Sequence, residues 1–407
     1  MSNGTSRRGF FKQAAIAAGA LGVSRLPGVD LLGRAHAAPG DEPPALFILN
    51  LIGGYNAMFG SADSFVGNGA FGVTSQNVRR IGTSNLVVDR TTLGSLADTT
   101  LQKMASIGVN HGISAHTTAQ TAMLFDGGTS RLVRMSASLG GTAAVRCVSI
   151  GTQRMPIGTH RAIGDVSLQQ VRDLSTTIAA LGGTTSPDAP VRGLAANGIA
   201  AAEAMSKASL DANPQSGKSL IEGYPAASAQ LKQDVVAFNY ADLAAAYGVM
   251  PGAGGTLPTE ARNTTMQIMG AELMIRAGAN VVIATQAGWD SHGDNNGAEV
   301  RNKMIGDGTM AALRAFTTRT LAMANRNVVT VIMGDFSRSI PGSNHQANLT
   351  ATVIGKYVRL GTTGRVNANV GLPSGSPGIG GLWAYLAAVL GTADKPFGTN
   401  PHNLVLA

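Results

Sequence analysis

Asp290 and His292 stand one residue apart in Gly288-Trp289-Asp290-Ser291-His292-Gly293. In an extended loop alternate side chains point the same way, so a carboxylate oxygen and an imidazole nitrogen from this pair can share one cation. A second polar turn, Gly334-Asp335-Phe336-Ser337-Arg338, is followed by Asn344 and His345. Carboxylates and imidazoles gathered in this way are the donors of a zinc, manganese or calcium site. The same residues also suit plain turn chemistry, with Asp290 and Asp335 capping loops and His345 hydrogen-bonded within one. Arg338 is either a fork for phosphate or sulfate or a partner for Asp335.

A third group is Ser114-Ala115-His116-Thr117-Thr118-Ala119-Gln120, which leads into the apolar run Ala122 to Phe125. Thr117 with Gln120 fits a capping box and predicts a helix starting here. A hydroxyl at such a start, Thr117 or Thr118, either caps the helix, holds an anion or serves as a metal-activated nucleophile. The candidate catalytic residues are therefore His116, Thr117, Thr118 and Arg338.

These groups need strands to present them. Ala45 to Leu51 is a short apolar run that stops in Gly53-Gly54-Tyr55-Asn56, the pattern of a buried strand ending in a polar turn. Helical spacing over Met266 to Ala277 is followed by β-branched Val281 to Thr285 and then by the Asp290 loop. Helical spacing over Met310 to Ala324 is followed by Val328 to Met333 and then by the Asp335 turn. Further strands are expected at Ala143 to Ile150 and Ala351 to Val358, a loop over Val366 to Gly380, and a helix over Leu382 to Leu390. Alternating strands and helices predict an α/β layered fold with a mainly parallel sheet, whose ligands sit at the carboxyl ends of strands. An alanine-rich helical insertion is expected at about 193–262.

The composition is that of a globular chain: 407 residues, 44% of them hydrophobic, with 53 glycines for turns and close backbone approaches. The formal charge is +8, but residues 1–37 hold Arg7, Arg8, Lys12, Arg25 and Arg34 against Asp30 alone; the other residues carry 26 cations and 22 anions. With no Lys/Arg cluster among them, a nucleic-acid partner is excluded. Cys147, the one cysteine, rules out an internal disulfide and any cysteine-rich metal site. Ser6-Arg7-Arg8-Gly9-Phe10-Phe11-Lys12, a weakly apolar Gly/Ala-rich run and Ala35-His36-Ala37 read as a twin-arginine export signal over 1–37, cleaved near Ala37. The expected product is a single domain, 38–407, periplasmic or secreted, whose partner in transit is the twin-arginine machinery. No later stretch approaches the roughly 18 uninterrupted apolar residues that a membrane span needs.

In this order the motifs resemble the bacterial family known as domain of unknown function 1501. Leu51 to Asn56 resembles its Gly-Gly-x-Asp turn, His116 to Gln120 its His-x-x-Ala-Gln segment, Gly288 to Gly293 its Gly-Trp-Asp-Thr-His-Gly, and Gly334 to Arg338 its Glu-Phe-Gly-Arg. That family resembles a branch of the alkaline phosphatase and sulfatase superfamily. The resemblance implies a three-layer, alkaline-phosphatase-like sandwich, one or two divalent metals at strand ends, and hydrolysis of phosphate or sulfate esters. It makes Asp290, His292, Asp335 and His345 the metal ligands, joined by Asn56 and Asn344 where the family carries Asp. Asparagine lacks the charge that holds a hard divalent ion, so a weak or single-metal site is expected. Two functions fit: a metal-dependent hydrolase of an anionic small-molecule or glycan ester, or a catalytically silent binding protein that uses the same face for glycan, peptide or partner contact.

Overall fold

Every residue of Ala45–Leu51 is buried, and alternate side chains enter two different cores. Leu46 and Ile48 join Val281, Ile283, Val329 and Val331 on one face; Ala45, Phe47, Leu49 and Leu51 join Val282, Ala284 and Ile332 on the other. A strand apolar on both sides belongs at the centre of a sheet that is covered on both faces. The computed structural model describes residues 38–54, 57–143, 145–152, 155–174, 177, 240–293, 297–339 and 342–405. The export segment, Tyr55, Asn56 and residues 193–239 of the expected insertion lie outside the described residues.

The strands are β1 (Pro44–Leu51), β2 (Val78–Arg80), β3 (Val87–Asp89), β4 (Met104–Asn110), β5 (Phe125–Asp126), β6 (Thr129–Ser130), β7 (Cys147–Ile150), β8 (Leu168–Val171), β9 (Val281–Gln286), β10 (Asn327–Gly334), β11 (Ser337–Arg338), β12 (His345–Gln346), β13 (Asn348–Ile354) and β14 (Gly361–Thr362). The helices are α1 (Asp98–Leu101), α2 (His116–Leu124), α3 (Arg131–Leu139), α4 (Tyr240–Ala246), α5 (Thr264–Arg276), α6 (Ala298–Gly306), α7 (Thr309–Leu321) and α8 (Ile379–Leu390). An eight-stranded sheet runs β14-β4-β13-β10-β1-β9-β7-β8. Residues of α5 and α7 build the core on one face, and residues of α3 and α8 build the core on the other, so the fold is a three-layer α/β sandwich.

Neighbouring strands are parallel except where β13 meets β10 and β4. In register, Leu51 pairs with both Gln286 and Gly334, so β1, β9 and β10 end on one edge. The chain leaves β4 at Asn110 on that same edge, because β4 and β10 both run against β13. β13 starts there, with Asn348 opposite Asn110. The strand expected at Ala351 to Val358 thus begins earlier and runs the other way, and His345 precedes a strand instead of following one.

His402 is 4% exposed, and its Nε2 has no hydrogen-bond partner. Burial disfavours the cationic imidazole and pulls its pKa from 6.5 down to about 4. In that window the unfolded chain binds a proton that the fold excludes, so stability is full above pH 6.5 and falls on acidification toward pH 4. Thermal unfolding between pH 7 and 4 should show this loss, at most about 3 kcal/mol. The loss should be absent from His402→Phe.

Candidate metal centre

The site is built around one residue, Gly53, whose two flanking peptide units are both engaged. Gly53 follows β1; its N–H donates to Asp335 Oδ1 at 2.8 Å, and its carbonyl accepts from Arg338 Nε at 2.7 Å and Nη2 at 2.5 Å. Gly53 has φ +117°, and a Cβ there would lie 2.1 Å from the backbone nitrogen of Asp290. At Gly54, with φ +126°, a Cβ would lie 2.9 Å from Arg338 Nε. Only glycine meets both demands. The pairing of β1 with β9 continues into this turn, since Ile52 N–H donates to Gln286 O at 2.8 Å and Trp289 N–H to Ile52 O at 3.1 Å. Asp290 is thereby laid against Gly53.

Asp335 is 1% exposed, and its Oδ2 accepts from His116 Nδ1 at 2.6 Å and from Gln120 Nε2 at 3.1 Å. His116 and Gln120 lie four residues apart on α2 and so share a helix face. A carboxylate only accepts, so His116 carries its proton on Nδ1 and turns the Nε2 lone pair into the site. His345 does the same through a different acceptor: its Nδ1 donates to the Ser114 carbonyl at 2.6 Å. The hairpin of β11 and β12 sets Arg338 opposite His345. Under both imidazoles lies the fully buried ring of Phe336, 4.6 Å from His116 and 4.3 Å from His345 between centroids.

The free faces meet. His345 Nε2 lies 2.9 Å from His292 Nε2, which lies 3.5 Å from Asp290 Oδ1, and His116 Nε2 lies 3.4 Å from Asp290 Oδ2. The donor atoms of His116, His292 and His345 all fall within 4.8 Å of one another. Ligands of a tetrahedral ion at about 2.0–2.1 Å stand about 3.3 Å apart, so the closer contacts are near that spacing and the widest, up to 4.8 Å, must shorten on binding. The Asp290 and His292 side chains are 46% and 58% exposed, which leaves that side of the site open to solvent.

Burial and nearby charges act on two groups of the site, His345 and Arg338. Burial is the main influence lowering the His345 pKa, and His116, Arg338 and His292 push the same way against the raising effect of the Ser114 hydrogen bond. A neutral ring, available as an acceptor, is the consequence. Arg338 is 1% exposed; burial lowers its pKa, while Asp290 and Asp335 raise it. It also donates to Ser343 O at 2.9 Å and to Asp290 Oδ1 at 2.5 Å, and its Nη2 lies 3.4 Å from His116 Nε2.

Several expectations change. Asp290, His292 and His345 come together, but His116, expected in the catalytic group, supplies the third imidazole. Asp335 is buried, with both oxygens hydrogen-bonded to Gly53, His116 and Gln120, so it orients the His116 ring. Arg338 pairs with Asp290, not with Asp335, and its donors are committed inside the protein, so it is not a free anion fork. Thr117 does not cap: the N-cap of α2 is Ala115 without a side-chain bond, because Gln120, the other half of the expected box, reaches Asp335. Thr117 and Thr118 are exposed and line an open concavity with Thr121, Ala122 and Phe125, away from the imidazoles. Asn344 is exposed; its backbone closes the β11–β12 turn against Ser339. Asn56 lies outside the described residues. Trp289 is buried and packs under Lys303. The parts that the motifs left unannounced are the Gly53 peptide, Gln120 as a donor to Asp335, and the Ser114 carbonyl. The His116–Gln120 spacing was the available signal for the second.

No family model matches the chain, and no curated protein matches it. Among solved structures it is similar to a protein in the alkaline phosphatase superfamily from Vibrio parahaemolyticus, with 10% identity over 88% of this chain and 69% of that one, TM-score 0.34. It is also similar to Ps i-CgsB, both free and in complex with k-i-k-neocarrahexaose, with 10% identity over 88% of this chain and 75% of that one, TM-score 0.36.

Gly53→Ala forces a Cβ into the Asp290 backbone in a left-handed conformation, which should cost at least about 3 kcal/mol in denaturant unfolding. Gly69→Ala is the control: its φ is +64° but a Cβ there meets open space, so it should cost no more than about 1–2 kcal/mol.

Proposed function

We propose that this chain is an exported, metal-dependent hydrolase of phosphate or sulfate esters, with His116, His292 and His345 holding one divalent ion beside Asp290. The observation that carries the reading is the convergence of three imidazole nitrogens, two of them turned inward by acceptors on their Nδ1–H groups. Three nitrogen ligands leave a tetrahedral ion one open position, the arrangement of catalytic sites. When bound, such an ion supplies Lewis acidity and positive charge for the developing anion. In this reading Asp290, on the solvent side, takes the proton of the attacking water, and Arg338 holds that carboxylate in place. Asp335 fixes the tautomer and direction of His116. Membership of the family of domain of unknown function 1501 belongs to the same proposal and is supported by the motif turns.

A second reading, a silent binding protein, is favoured by one observation: the Arg338 guanidinium is spent on Gly53, Ser343 and Asp290 and is not free to orient an oxyanion. Turnover separates the two. Hydrolysis of an activated aryl phosphate or sulfate should fall at least about a hundredfold on chelation and in His292→Ala, and added metal should restore only the wild type. If no ester is hydrolysed with any ion while the metal still binds, the silent reading stands. Export is tested separately: replacing Arg7 and Arg8 together by Lys should leave precursor in the cytoplasm, while the wild type should appear outside it with an N-terminus near Ala38.

A further inference from the structure

Most oxygen atoms around the imidazoles are already occupied; Asp290 Oδ2, 3.4 Å from His116 Nε2, is the exception. Both oxygens of Asp335 accept hydrogen bonds from Gly53, His116 and Gln120. The Gly53 carbonyl accepts from Arg338, and the Ser114 carbonyl from His345. Asp290 shares Oδ1 with the Arg338 guanidinium at 2.5 Å. What faces inward is mainly nitrogen: donor atoms of His116, His292 and His345 within 4.8 Å of one another, with Asp290 Oδ2 beside them.

We propose that the centre selects a borderline transition ion, zinc or cobalt, and rejects calcium, magnesium and manganese. The inference rests on the metal-centre reading above and narrows it to a class of ion. Imidazole suits zinc-like ions, whereas calcium takes six to eight oxygens at about 2.3–2.6 Å and magnesium takes oxygen in an octahedron. Here one carboxylate oxygen, Asp290 Oδ2, stands beside three imidazoles, a donor set rich in nitrogen and short of the oxygens those ions require. The buried guanidinium adds to the discrimination. Its Nη2 lies 3.4 Å from His116 Nε2, so its charge opposes ions held by charge alone more than ions held by directed bonds to nitrogen. Binding replaces this one contact, the longest that Arg338 makes here, and leaves its hydrogen bonds to Gly53, Ser343 and Asp290 in place.

The test uses the full-length chain stripped of metal and titrated with zinc, cobalt, manganese, calcium or magnesium alone. Affinity is read from the shift in unfolding midpoint and, for cobalt, from visible absorption. Zinc should bind at least about a hundredfold more tightly than calcium, magnesium or manganese. Cobalt should give the intense bands of a four-coordinate ion, and both signals should be lost in His292→Ala and in His345→Ala. Calcium or manganese binding as tightly as zinc, or faint six-coordinate cobalt bands, would overturn the selectivity and leave the metal-centre reading intact. No shift with any ion, or shifts unchanged in both variants, would overturn both.

Discussion

Gly53 is held on both sides, its N–H by Asp335 and its carbonyl by Arg338, and the rest of the centre depends on that clamp. Asp335 follows β10 and Arg338 lies in the hairpin beyond it, so the clamp ties the end of β1 to the chain leaving its neighbour. Both charged groups are 1% exposed. Each has its own partners besides Gly53: His116 and Gln120 for Asp335, Asp290 and Ser343 for Arg338. The glycine itself is fixed by crowding: Asp290 backbone lies where a side chain would be.

From the clamp the donors are aimed outward in layers. Asp335 orients His116, the Ser114 carbonyl orients His345, and Arg338 steadies Asp290. His292 has the most exposed side chain of the set and carries the fewest constraints. A rigid, buried back and a solvent-open front is the arrangement expected where a ligand must enter but the donor geometry must not drift.

The reversed strand β13 is what makes the centre compact. Because it runs against β10 and β4, its beginning lies where their ends lie. His345, just before β13, is therefore delivered to the edge from which Asp335 and His116 depart. A wholly parallel sheet would need a long crossover to return the chain to that edge. Here a two-residue hairpin pair, β11 and β12, makes the return and places Arg338 beside His345 at once.

The sequence by itself determined the layers and the motif-bearing ends. Continuous apolar runs such as Ala45 to Leu51 and Val328 to Met333 can only be buried on both faces, and the glycine and aspartate turns after them follow from the same local chemistry. It also carried Asp290, His292 and His345 as one group. The partners of each polar atom belonged to the tertiary structure. Whether Asp335 binds a metal or a histidine, and whether Arg338 reaches Asp335 or Asp290, depends on which strand ends lie side by side and at what depth. Local spacing encodes direction within one element; it carries no information on strand order, on the reversal of β13, or on which carboxylate is buried and spent. Those choices are made when 282 residues of chain separation between Gly53 and Asp335 close to one 2.8 Å hydrogen bond.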